Sequence, residues 1–147
     1  FKIDLDADKR EEQKDVSEKS IKGLHILLAE DNELNMEIAE FMLQNEGADV
    51  TKAWNGREAV EIFRKSEPDE FDVILMDIMM PVMNGYEATK MIRSLEREDA
   101  KTIPIIAMTA NAFTEDRLKA KEAGMDEHIA KPVDPELLVK VIYESVD

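Results

Sequence analysis

The chain has 147 residues, 44% of them apolar and 36% charged, and its formal charge of −15 sets up a field that disfavours contact with nucleic-acid phosphates. It contains no cysteine and only two histidines, His25 and His128, which excludes disulfides, a thiol nucleophile and a cysteine-based zinc site. No apolar run approaches the ~20 residues of a membrane span and no signal-peptide pattern opens the chain, so this segment is expected to make no membrane contact.

Residues 1–22 hold 7 acidic and 6 basic residues, few apolar ones and no sustained period. That texture predicts a linker, with the domain beginning at Gly23 and running to Asp147. From there short apolar runs alternate with helical patterns. The run Leu24–Ala29 is a strand buried on both faces. Asp31 or Asn32 can cap the helix that follows, with Leu34, Ile38, Phe41 and Met42 on one face and Gly47 at its end. Ala48–Ala53 is a second strand, and Gly56–Ser66 a helix carrying Ala59, Ile62 and Phe63. Pro68 breaks the chain before a third strand, Phe71–Met76. A third helix spans Gly85–Arg97, with Ala88, Met91, Ile92 and Leu95 inward. Ile103–Met108 is the fourth strand, and Thr114–Ala123 a helix closed by Gly124. Met125–Ala130 is the fifth strand, and Pro135 opens a last helix with Leu137, Leu138, Val141 and Ile142 along it. Five β-α units in a row predict the α/β class: a doubly wound, five-stranded parallel sheet with five helices on its two faces.

In an open parallel sheet, ligands bind outside the carboxyl ends of the strands. Glu30 and Asp31 follow the first strand, Asp77 the third, Thr109 the fourth, and Lys131-Pro132 the fifth. Alone, each has an ordinary reading: Asp31 as a helix cap, Thr109 as a β-branched strand residue, Lys131-Pro132 as a turn. The methionines at 76, 79, 80 and 83 read as core and loop packing. Together the strand ends mean more. Three converging carboxylates repel one another, which raises at least one pKa, and a divalent cation relieves the strain. An all-oxygen donor set suits Mg²⁺. A lysine and a hydroxyl beside it could hold phosphoryl oxygens, leaving Asp77 as a carboxylate nucleophile.

Four stretches now carry a resemblance: LLAEDN at 27–32, MDIMMPVMNGYEA at 76–88, IIAMTANA at 105–112 and KP at 131–132. In order and spacing they are similar to the response-regulator receiver domain of two-component signalling, a flavodoxin-like fold, over Gly23–Asp147. The resemblance implies that Asp77 accepts the phosphoryl group. It implies that Asp31 and Asp77 ligate Mg²⁺ (or Mn²⁺), with Glu30 acting through water and Met79 through its main-chain carbonyl. Thr109 would hydrogen-bond the phosphoryl oxygen, Lys131 would pair with its charge, and Pro132 would follow a cis peptide bond. Ala110 would leave room for donors, while Met79 and Asn111 occupy positions that tune phosphoryl lifetime. His128 stands where the family often has a tyrosine or phenylalanine that switches rotamer; a half-buried strand histidine is the plain alternative. The implied partners are the dimerisation domain of a histidine kinase or a histidine phosphotransfer domain, and the implied compartment is cytoplasmic, with a parent protein that could be membrane-anchored.

FKIDLDAD at the start resembles the last strand of a kinase ATP-binding domain. With the wording EDNELN and MTANAF it points to the C-terminal receiver of a hybrid sensor histidine kinase, against a stand-alone or transcription-factor receiver. A haloacid-dehalogenase-like phosphatase would need an acid-base aspartate where Met79 stands and its nucleophile on the first strand. A flavin site would need a phosphate loop where Glu30-Asp31 stand. A phosphorylation-silent interaction domain would lack one or more of Glu30, Asp31, Asp77, Thr109 and Lys131.

Overall fold

The structure is a computed structural model that describes residues 20–110 and 114–146. The expected tail at 1–19 and Asn111 lie outside the described residues. Five strands form one parallel sheet: β1 (His25–Ala29), β2 (Asp49–Ala53), β3 (Val73–Asp77), β4 (Ile105–Thr109) and β5 (Glu127–Ala130). Among the described residues, six helices connect or follow them: α1 (Glu33–Asn45), α2 (Gly56–Lys65), α3 (Gly85–Arg93), α4 (Glu98–Thr102), α5 (Thr114–Ala123) and α6 (Pro135–Val146). The doubly wound expectation holds, with the short α4 in addition to the five helices read from the sequence.

Strand order is β2-β1-β3-β4-β5. After β1 the chain crosses to one side, and after β2 it returns to the other, so the carboxyl ends of β1 and β3 flank the topological switch point. β3 and β4 are buried throughout, as their apolar runs require. Met36, Ala39 and Leu43 of α1 and Leu138 and Ile142 of α6 pack on one face. Ala59, Val60 and Phe63 of α2, Ala88 and Ile92 of α3, and Ala120 of α5 pack on the other. Ile21, assigned by texture to the linker, is fully buried in the first of these layers.

Helix phase departs from the sequence reading at three places. In α1 the buried stripe is Met36, Ala39 and Leu43, whereas Leu34, Ile38 and Phe41 are 63%, 44% and 70% exposed. Met91 of α3 and Leu137 of α6 also face outward. Helix α3 stops at Arg93, where the Ser94 hydroxyl donates to the Met91 carbonyl and competes with the next helical turn. Beyond it, Arg97 donates to the carbonyls of Phe63, Ser66 and Glu67, lies over the Phe63 ring, and pairs with Asp99 at 2.7 Å. One guanidinium thus takes up carbonyls in the last turn of α2 and just beyond it. Its hydrogen bond, working against burial, holds the Asp99 carboxyl down at about 2.

Candidate functional site

Local sequence explains how each side chain reaches the switch point. Asn32, not Asp31, caps α1: its side chain accepts from the Asn35 N–H at 2.9 Å. Asp31 is therefore released from the capping role, and its carboxylate stays exposed beside β1. Glu30 is turned inward, 2% exposed, with Oε2 accepting from the Asn32 N–H at 3.1 Å. Asp77 closes β3 at 4% exposure, and Thr109 closes β4 at 7%.

The loop from β3 to α3 is held tightly against that strand end. The Gly85 N–H donates to the Ile78 carbonyl at 2.9 Å, and a Cβ at Gly85 would stand 2.4 Å from the Asp77 carbonyl oxygen. Only glycine permits this approach. The Asn84 capping box with Glu87 then starts α3 immediately. Within the loop, Val82 holds φ at +69°, unfavourable for a β-branched residue, and Met79 exposes its side chain. Met76 and Met80 are buried and Met83 packs on the core, in line with the packing reading of these three methionines, which the exposed Met79 does not follow.

These segments bring Glu30, Asp31 and Asp77 together, with one carboxylate oxygen from each lying within 4.8 Å of the others. From β5, Lys131 Nζ reaches Glu30 Oε1 at 2.9 Å and Asp77 Oδ2 at 3.2 Å. The Lys131–Pro132 peptide bond is cis, and the Lys131 N–H donates to the Thr109 carbonyl at 2.8 Å. Burial, then the charge of Glu30, pushes the Asp77 carboxyl up to about 7, against the pull of Lys131. Burial acts to lower the lysine, but its bonds to Glu30 and Asp77 outweigh it and the ammonium is held above its ordinary value. Repulsion among the strand-end carboxylates, expected from sequence, is thus visible in Asp77.

Ala110 and Pro132 are exposed at the rim, and His128 is half-buried on β5. Sequence reasoning missed the partner of His128: Arg117 of α5 donates from Nε to His128 Nε2 at 2.8 Å. It also missed the apolar hollow of about 200 Å³ beside the site, bounded by Glu30, Ile38, Met42 and Lys131. The hollow joins elements far apart in the chain, and the Arg117–His128 pair, 11 residues apart on consecutive elements, carries no sequence pattern that signals it.

The donor set is all oxygen, with buried negative charge in excess of the one lysine, and this fits Mg²⁺ or Mn²⁺. Residues 26–143 match the family model described as the response regulator receiver domain. A hybrid signal transduction histidine kinase of Dictyostelium discoideum is 41% identical over 82% of this chain and 7% of that protein. A histidine kinase of Arabidopsis thaliana is 37% identical over 86% of the chain and 13% of that protein. This chain therefore spans a small fraction of these relatives' length. The receiver domain of a sensor histidine kinase from Pseudomonas aeruginosa PAO1, solved with a magnesium ion coordinated in its active site cleft, superposes with a TM-score of 0.77 at 39% identity. That match covers 84% of this chain and 98% of that one. A further likeness, at TM-score 0.76 and 32% identity over 84% and 88% of the two chains, is to the receiver domain of Ssk1 from Saccharomyces cerevisiae, co-crystallised with the histidine phosphotransfer protein Ypd1. Sequence match, strand order and strand-end chemistry agree: the chain belongs to the response regulator receiver domain family, the phosphoryl-accepting domain of two-component signalling.

Proposed function

We propose that Asp77 accepts a phosphoryl group from a phosphohistidine. The observation that carries this is a buried carboxylate whose pKa is pushed up to about 7, set between a lysine and two further carboxylates at the switch point of the sheet. An ionised Asp77 oxygen attacks phosphorus in line: the O–P bond forms, the N–P bond breaks, and the leaving imidazole takes the bonding pair and a proton. Lys131 neutralises phosphoryl oxygens, and the Thr109 hydroxyl donates to one. Asp31 and Asp77, with Glu30 through water and the Met79 carbonyl, would hold Mg²⁺, which when bound supplies charge compensation for carboxylates and phosphoryl oxygens alike. Met79 and Asn111, each two residues beyond Asp77 or Thr109, are the positions we assign to tuning phosphoryl lifetime, and Ala110 leaves the donor room.

The donor docks, in this reading, on the outward stripe of α1. Leu34, Ile38 and Phe41 are exposed and interleaved with Glu33, Glu37 and Glu40, and α1 contains no basic residue. The stripe borders the hollow beside Lys131. A phosphohistidine-bearing helix with an apolar face flanked by lysine or arginine complements it. The histidine-kinase relatives support a receiver segment, residues 23–147, of a larger hybrid kinase that relays the group onward to a histidine phosphotransfer domain.

The test is transfer from a phosphohistidine donor, with and without Mg²⁺. Label that moves to this chain only with Mg²⁺ and is released by hydroxylamine supports the reading. Label that stays on the donor under all conditions refutes it.

A further inference from the structure

We infer that the turn from β2 into α2, residues 53–56, braces the metal site, with Gly56 a positioning residue for the loop that carries the Met79 carbonyl; this rests on the Mg²⁺ ligands assigned above. β2 supplies none of the side chains of the site, yet its end is bonded to two of the segments that do. The Glu30 N–H donates to the Ala53 carbonyl at 3.0 Å, and the Gly56 N–H donates to the Met83 carbonyl at 3.0 Å.

Residues 79–83 lie between β3 and α3 and belong to neither. Before them, the Ile78 N–H donates to the Met108 carbonyl of β4 at 3.1 Å; after them, Asn84 caps α3. Between those fixed ends the chain takes a costly path. The Met83 N–H donates back to the Pro81 carbonyl at 2.7 Å across Val82, whose φ of +69° makes this a γ-turn of the rare, strained hand. Such a conformation persists only where its surroundings over-determine it. The Gly56 N–H supplies that constraint at the residue next to the strained one.

The start of α2 is built to hold this donor still. The Asn55 side chain accepts from the Glu58 N–H at 2.9 Å, and the Glu58 carboxylate accepts from the Trp54 N–H at 2.8 Å. The Gly56 N–H is one of the donors that a first helical turn leaves without an internal partner, and the Met83 carbonyl takes it up. Alanine is the better helix former at position 56. Its Cβ, however, would stand 2.9 Å from the Met83 carbonyl carbon, 3.0 Å from the Asn84 carbonyl oxygen, and nearer still to the Met83 oxygen. All three are backbone atoms, so no side-chain rotation relieves the overlap and the loop has to retreat. Mg²⁺ demands near-ideal placement of its oxygen ligands, so a carbonyl displaced with the loop binds it poorly, whereas Ca²⁺ accepts irregular geometry.

The experiment titrates Mg²⁺ and Ca²⁺ calorimetrically into the full chain as wild type, Gly56→Ala and Gly47→Ala. Gly47 is the control. With φ at +89° and Lys22 against it, it also resists a side chain, but it precedes β2, at the edge of the sheet opposite the site. Gly56→Ala binds Mg²⁺ about 10- to 100-fold more weakly than wild type, the range for groups that orient metal ligands, with a smaller loss for Ca²⁺. Gly47→Ala keeps wild-type affinity for both ions. Should Gly56→Ala not fold, Asn55→Ala carries the test: it removes the cap without adding an atom against the loop, and weakens Mg²⁺ binding at least about twofold. Wild-type Mg²⁺ affinity in the variant that folds, a matching loss in Gly47→Ala, or equal losses for the two ions in Gly56→Ala would overturn the brace while leaving the Mg²⁺ assignment standing. Failure of wild type to bind Mg²⁺ would overturn that assignment and the brace with it.

Discussion

Asp77→Asn should make the metal-free protein more stable at neutral and higher pH. The Asp77 carboxyl is 4% exposed and pushed up from 3.8 to about 7, first by burial and then by Glu30. A carboxyl raised on folding binds more protons in the folded state than in the unfolded one, so stability is fully present below pH ~4 and is lost as pH rises to ~7. Three units at 1.36 kcal/mol each give a ceiling of roughly 4 kcal/mol for ionising Asp77 in the folded state. Asparagine is neutral at every pH, but it gives up the attraction to Lys131, so a gain of about 2–4 kcal/mol near pH 8 is expected. For a domain of this size that is a rise in Tm of roughly 5–15 °C. The assay is urea unfolding of both proteins with a chelator present, from about pH 8 down to about pH 5. The gap should be flat above pH ~7 and close by up to about 1.4 kcal/mol per unit below it. A mutant no more stable than wild type near pH 8, or a gap that widens as pH falls, would refute the assignment of buried repulsion to Asp77.

Asp31 is the exposed member of the carboxylate cluster, so Asp31→Asn should leave metal-free stability within about 0.5 kcal/mol of wild type. It should weaken the Mg²⁺-dependent rise in Tm at least tenfold in metal concentration, read by thermal shift. Lys131 lowers the Asp77 pKa, so Lys131→Ala should keep Asp77 protonated to higher pH. Labelling by acetyl phosphate near pH 7 should drop at least tenfold and recover in part toward pH 9, as followed by intact mass. Phe41→Ser, on the outward stripe of α1, should slow transfer from a phosphohistidine donor about tenfold more than it slows labelling by acetyl phosphate.

The sheet and the site were legible for the same reason. Strands buried on both faces must be continuous apolar runs, and Ile74–Met76 and Ile105–Met108 have no polar residue to blur them. Once those runs alternate with helices, topology alone gathers Glu30, Asp31, Asp77, Thr109 and Lys131 at one edge. Helix phase was a harder problem. α1 carries two apolar stripes that both fit a 3.6-residue period, and Leu34, Ile38 and Phe41 are the larger and more apolar set. The structure buries Met36, Ala39 and Leu43 instead, with Ala39 the small residue of that face. Helix α4, five residues long, has no period to read, and the role of Arg97 at the end of α2 depends on contacts about 30 residues away in sequence. Arg117 stands only 11 residues from His128, yet that pairing became evident only when α5 was set against β5.

The central claim is that the carboxylate closing β3 exists to be phosphorylated. Its most direct test is the intact mass of wild type and Asp77→Asn after incubation with acetyl phosphate and Mg²⁺. One added phosphoryl group on wild type alone, removed by hydroxylamine, is the predicted result. Equal addition to both proteins would contradict it, since the group would then sit on a residue other than Asp77.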